Sequence, residues 1–291
     1  MGTDGGLRPV LSAALGRAAD ELRAWDVRAR GAEPDAVHQL RIAERTLRGL
    51  LKATRHLFEP GTTTALEAHL RNLGRGLSAT RDAEAGLELL AARAPGSGGA
   101  AVPADVVVRL RSVLQAERDG AAAATRHRLE SDGHRRMLDA AATFAADPPL
   151  DAANDAPAKK PLRKAVDRQL RRVLRAAEAA AGADDHNAAL HEVRKQAKIL
   201  RYTIGVLEAV PGAHLGGARR SLRTRAEAVQ DALGEYGDSA AFQELVCAAA
   251  DAARADGEEA FAYGVLYAGE TDVQRRALAR YRTALADLRR G

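Results

Sequence analysis

The sequence predicts an all-α fold, read as a duplicated helical bundle whose two copies pack with approximate two-fold symmetry. Three observations carry this. Alanine, leucine and arginine dominate a chain of 291 residues with only 3% aromatics, and these three residues stand high in helix propensity. β-branched and aromatic residues, which a large sheet would need, are scarce. Apolar residues recur at three- and four-residue spacing through long stretches between a few Pro- and Gly-rich breaks, and the second half of the chain repeats the first.

In chain order, the periodicity predicts helices at about 8–30, 35–58, 62–93, 104–130 and 134–146 in a first half covering 1–150. The second half, 151–291, carries helices at about 160–182, 186–209, 213–234, 238–255 and 258–289. Pro34-Asp35 and Asp184-Asp185 mark helix starts, because carboxylates complement exposed N–H groups and the positive end of the dipole. Two segments read as linkers: Pro95-Gly96-Ser97-Gly98-Gly99 through Pro103, and Asp147-Pro148-Pro149 through Pro161 near mid-chain.

The repeat is carried by positions. His38, Arg41, Arg45, Leu47 and Arg48 fall on His191, Arg194, Lys198, Leu200 and Arg201 at an offset of 153. Leu66, Leu70, Leu73 and Leu77 fall on Leu222, Ala226, Val229 and Leu233, and Asp82 on Asp238, at an offset of 156. Small growth in the offset fits loops that gained residues between retained helices.

At about 100° per residue, His38, Arg41, Arg45, Arg48 and Lys52 share an arc of roughly 80°. Leu40, Ala43, Leu47, Leu50 and Leu51 lie opposite. His191, Arg194, Lys198 and Arg201 repeat the stripe, backed by Val193, Ala197, Leu200, Ile204 and Leu207. Like charges at these spacings cost a few tenths of a kcal/mol per pair, and a solvated face would interleave acids. One such stripe could be a solvated face; two at equivalent places in a duplication point to an anion. Arginine's planar fork matches phosphate oxygens, so the expected ligand is a linear polyanion.

Further cations extend the track. Lys164, Arg168, Arg171 and Arg175 share one face, Arg219, Arg220 and Arg223 open the helix after the second stripe, and Arg71 and Arg75 stand where the second half has Glu227 and Asp231. Lys52 lacks a basic counterpart, because Gly205 occupies that position. No second His or carboxylate lies at tight metal-ligand spacing on the same face as His38 or His191, so no metal and no cofactor are expected; the two histidines meeting across an interface would be the one route to a metal site, ranked below a phosphate contact or a structural role. Net charge is +5 and there is one cysteine, Cys247, which excludes an intramolecular disulfide and fits a reducing, cytoplasmic setting. No apolar run reaches the ~20 residues of a membrane span, and Met1 to Asp4 do not open a signal peptide.

Val37-His38-Gln39-Leu40-Arg41 with Arg45 and Arg48 resembles the signature of CHAD domains, the conserved-histidine α-helical domains. So does Leu190-His191-Glu192-Val193-Arg194-Lys195 with Lys198-Ile199-Leu200-Arg201-Tyr202. Arg81-Asp82 and Leu233-Gly234-Glu235-Tyr236-Gly237-Asp238 resemble the next block of each half, so the resemblance spans about 8 to 290. It implies two four-helix bundles related by pseudo-two-fold symmetry, with a basic central channel that binds long-chain inorganic polyphosphate, and association with polyphosphate granules. It adds Lys195 and Tyr202 to the expected site. Some members are fused to a CYTH domain, but no Glu-x-Glu-x-Lys motif of that type occurs here, so triphosphatase activity is not carried over.

Two other functions compete. Weak, sequence-independent nucleic-acid binding would use the same phosphate contacts, but only Tyr202 offers an aromatic face near a stripe. A phosphoanhydride-processing enzyme would want carboxylates holding metal or a positioned base. Asp82 and Asp238 read instead as helix-end caps or ion-pair partners.

Overall fold

The computed structural model describes residues 5–94, 102–152 and 157–290. Met1–Asp4, the Pro95–Gly99 linker and positions 153–156 of the central linker lie outside the described residues. Among the described residues the fold is all-α, with no strand beyond two isolated bridges.

The first half holds α1 (Leu7–Arg30), α2 (Ala36–Thr54), a 3-10 turn (Arg55–Leu57), α3 (Thr64–Arg93), α4 (Ala104–Glu130) and α5 (Asp132–Ala146). The second holds α6 (Lys159–Ala180), α7 (His186–Glu208), α8 (Gly217–Ala255) and α9 (Phe261–Arg289). The packing order repeats: α1 on α2 on α3, then α6 on α7 on α8. The halves meet chiefly through α2 against α7. That contact is close because Gly49 has no side chain: a Cβ there would stand 3.7 Å from the Ile199 Cα.

The apolar sides of the two central helices do what their spacing requires. Leu40, Leu47, Leu50 and Leu51 of α2 and Val193, Leu200, Ile204 and Leu207 of α7 are each at most 1% exposed. A second, smaller core forms where the tips of α3 and α4 meet those of α8 and α9, around Leu90, Leu110, Phe242, Val246 and Tyr263.

Three sequence expectations are corrected. The residues 213–234 and 238–255 do not form two helices; Gly217–Ala255 is one. Gly234 is there for space, not for a turn: a Cβ on it would lie 3.0 Å from Nη2 of Arg194. Asp82 and Asp238 accordingly sit inside α3 and α8 and cap nothing, while Asp82 is the ion-pair partner of Arg41. Of the two proposed helix starts, Asp185 accepts from the Ala188 N–H at 2.9 Å. Asp35, at φ +60°, makes no such bond and instead accepts from the Gln39 side chain at 2.7 Å. The break between α4 and α5 is made by Ser131, whose hydroxyl accepts from the His134 N–H. No helix among the described residues is long and apolar enough to cross a membrane.

Candidate functional site

The polar faces of α2 and α7 turn toward each other's neighbourhood and line one cavity of about 340 Å3, closed by α3 and α8. Arg41, Arg45, Arg48 and Lys52 come from α2; His191, Arg194, Lys195, Lys198 and Tyr202 come from α7. A second cavity of about 510 Å3 shares Arg45, Arg48, Lys52, Ser78 and Lys195 with the first, and adds Arg55, Arg71 and Arg75. Cations that are far apart in sequence therefore form one continuous basic space.

The stripe is partly neutralised, which the sequence reading did not anticipate. Glu44 is fully buried beneath it and accepts from Arg48 Nε at 2.5 Å. Gly74 of α3 makes the room, since a Cβ there would stand 2.6 Å from Glu44 Oε2. Arg41 donates to Asp82 at 3.3 Å, and Arg201 reaches Glu227 at 2.8 Å and Gln230 at 3.1 Å. Lys195 is held by Glu192. What remains without a carboxylate partner, among the described residues, is Arg45, Lys52, Arg194 and Lys198. The Nε atoms of Arg41 and Arg194 are buried with no acceptor among the described residues.

Crowding of these charges is visible in their acidities. Burial first, then Arg45, Arg194 and Arg41, pulls the Lys198 ammonium down to about 6. Burial and then Arg41 lower Arg45 to about 10. Lys52 is lowered by burial and then by Lys195. His191, which lines the cavity, is lowered by burial and then by Arg194, Lys195 and Lys198. Buried cations crowded in this way would be stabilised by negative charge brought among them.

The remaining expected residues divide into two groups. Lys164 and Arg168 lie near the C-terminal end of α2, where burial first, and then Arg168, Arg172 and Lys164, push His56 down to about 4. Arg172, Arg55 and His56 were not singled out from sequence. Arg172 follows Arg168 by four residues and was legible as a track member; its Nη1 donates to the Lys52 carbonyl at 3.3 Å. The others stand apart. Arg219 is clamped by Asp167 at 2.8 and 2.6 Å, and Arg223 pairs with Glu208 at 3.2 Å beside Gly205. Arg220 is exposed. His38 lines neither cavity; it sits near Asp35, Arg81 and Glu84, lowered chiefly by burial, with its Nδ1 unpartnered. Tyr202 lies under the Arg201 guanidinium, 5.3 Å from its ring centre. No group of three or more metal-ligating side chains occurs among the described residues.

The family model for the CHAD domain matches residues 13–247. The chain belongs to the CHAD-domain family. Two uncharacterized proteins of Mycobacterium tuberculosis, from strains CDC 1551 / Oshkosh and ATCC 25618 / H37Rv, are each 31% identical to it. Each match covers 94% of this chain and 52% of the relative, so the chain spans about half the length of the curated relatives it matches. Among solved structures, PptA from Streptomyces chartreusis superposes with a TM-score of 0.78 at 20% identity, over 97% of this chain and 100% of that one. The crystal structure of the CHAD domain from the plant Ricinus communis gives 0.74 at 22% identity, over 99% and 93%. These likenesses establish the CHAD fold, and in this CHAD domain the duplicated signature residues Arg45, Arg194 and Lys198 have no carboxylate within ion-pair distance among the described residues.

Proposed function

We propose that this CHAD domain binds long-chain inorganic polyphosphate without chemically altering it, and does so at polyphosphate granules in the cytoplasm. One observation carries the reading. Two basic stripes separated by 153 residues converge on one space whose Arg45, Lys52, Arg194 and Lys198 have no carboxylate within ion-pair distance among the described residues. A linear anhydride chain, with a charge on every phosphate and no bases to accommodate, is the polyanion that suits a narrow space between helices.

Most carboxylates at the cluster are already paired, which supports binding over catalysis. Glu44, Asp82 and Glu192 are engaged by Arg48, Arg41 and Lys195 respectively, and Asp238, which lines the cavity without an ion pair, belongs to no metal-holding group among the described residues. Phosphoryl transfer would need such groups free to hold a metal or position a nucleophile. The test is a titration with long-chain polyphosphate, tripolyphosphate and DNA of matched charge, alongside a phosphate-release assay with Mg2+ or Mn2+. Polyphosphate should bind tightest and no phosphate should be released. Equal affinity for DNA would make this a general polyanion site, and steady phosphate release would make it an enzyme.

A further inference from the structure

Beside the basic cavity lies a larger one, about 820 Å3, bounded by α3, α4 and α8. Its walls are small and apolar, with Ala79, Ala83, Leu89, Val113, Leu245 and Ala248 among them. The volume falls within the range of small-molecule sites. It adjoins the basic cavity directly: Asp82, Asp238 and Ala241 belong to the walls of both.

Charge changes sign at that shared wall. On one side stand Arg45, Arg194 and Lys198 without partners among the described residues. On the other, the cation Arg109 is already engaged by Asp256 and Glu258, while Glu117 and Glu244 add negative charge. A phosphate chain leaving the basic cavity in this direction would meet carboxylates and alanine methyl groups. A hydrocarbon chain carries no charge for Asp82 and Asp238 to repel, and it would gain by leaving water. A nucleoside fits less well, since Phe242 is 2% exposed and presents no open ring for a base to stack on.

We propose that the protein takes amphiphilic diphosphates, with the diphosphate on the Arg45–Arg194–Lys198 cluster and the hydrocarbon chain in the alanine-lined cavity beside it. The inference rests on the reading of the basic cavity as a phosphate site. Each methylene buried contributes about fourfold in affinity, so partial burial of a prenyl chain produces a large ratio.

The experiment titrates farnesyl diphosphate, inorganic pyrophosphate and farnesol, below the micellar concentration, against the wild type, Ala248→Leu and Arg45→Gln. Ala79→Leu, on the opposite wall, is a second filling variant should Ala248→Leu melt early; both positions are exposed. Farnesyl diphosphate should bind the wild type more than about tenfold tighter than pyrophosphate. Ala248→Leu should erase most of that ratio while pyrophosphate and long-chain polyphosphate bind as before. Arg45→Gln should weaken every phosphate ligand. Equal binding of farnesyl diphosphate and pyrophosphate, or a preference that survives both filling variants, overturns the proposal and leaves polyphosphate binding standing. Farnesol binding as tightly as its diphosphate overturns it too. Binding of farnesyl diphosphate with none of inorganic polyphosphate would uphold this inference and sink the proposed function, and binding of no anion would sink both.

Discussion

Lys198 decides how the site behaves with pH. Burial and the neighbouring arginines pull its ammonium down to about 6, against about 10.4 in an unfolded chain. Between those values the unfolded chain holds a proton that the native protein lacks, so this group makes stability rise with pH across that window. A bound polyanion supplies the negative charge that offsets the burial and repulsion that expelled the proton. Binding at pH 8 should therefore take up close to one proton, and affinity should fall as pH rises from 6. Calorimetry in buffers of different ionisation enthalpy measures the uptake, and Lys198→Met should abolish most of it, leaving the smaller share of His191. Uptake unchanged in Lys198→Met would place the titrating group elsewhere. A second residue-scale prediction concerns Asp26, fully buried in α1 and bonded at 2.6 Å to His134 of α5. His134→Ala strands that buried carboxylate with Arg30 alone and should cost about 3–5 kcal/mol in urea unfolding. A loss under about 1 kcal/mol would show that Arg30 satisfies it unaided.

At the scale of elements, glycines set how near the helices come. Gly49 leaves α2 and α7 in contact at Ile199, where a methyl group meets ordinary van der Waals distance. Gly49→Ala should thus hold stability or raise it by up to about 1 kcal/mol through helix propensity. Gly49→Leu should cost about 1–3 kcal/mol by overpacking and, by spreading the helices that carry the cations, weaken polyphosphate binding. Equal stability of the two variants would mean α2 and α7 slide freely. The same residues explain what was legible. Periodicity located the helices and both stripes, because leucine at three- and four-residue spacing has few other uses. It failed between 234 and 238, where two helices are expected although α8 runs through. It could not show that Gly74 faces Glu44, or that Glu227 of α8 neutralises Arg201, since those pairings depend on helices meeting across the fold.

For the whole molecule, the duplication means that the proposed polyphosphate ligand would be held by equivalent charges from two halves. The halves are not identical in charge: Arg71 and Arg75 face the second cavity from α3, while Glu227 and Asp231 take their places on α8. The core cluster is nevertheless shared, so Arg41 with Arg45, and Arg194 with Lys198, should matter alike when replaced by alanine. Each double variant should weaken polyphosphate binding by a similar factor, and both together should reduce it to background. Folding should survive, because Leu47 and Leu200 on the opposite faces keep their burial and like-charge repulsion is relieved. Salt separates this from a shape-selected ligand. Each phosphate contact releases condensed counterions and adds about 0.7 to 0.9 to the slope of log K against log salt. The wild type should show a steep slope, and each double variant should lower it by about one to two near pH 6, where Lys198 is about half protonated even before binding. Toward pH 8 the Arg194 and Lys198 variant should lose less of its slope than the Arg41 and Arg45 variant, since the lysine then contributes only after taking up its proton. Parent-like slopes in both would mean that the stripes face solvent and the anion sits elsewhere.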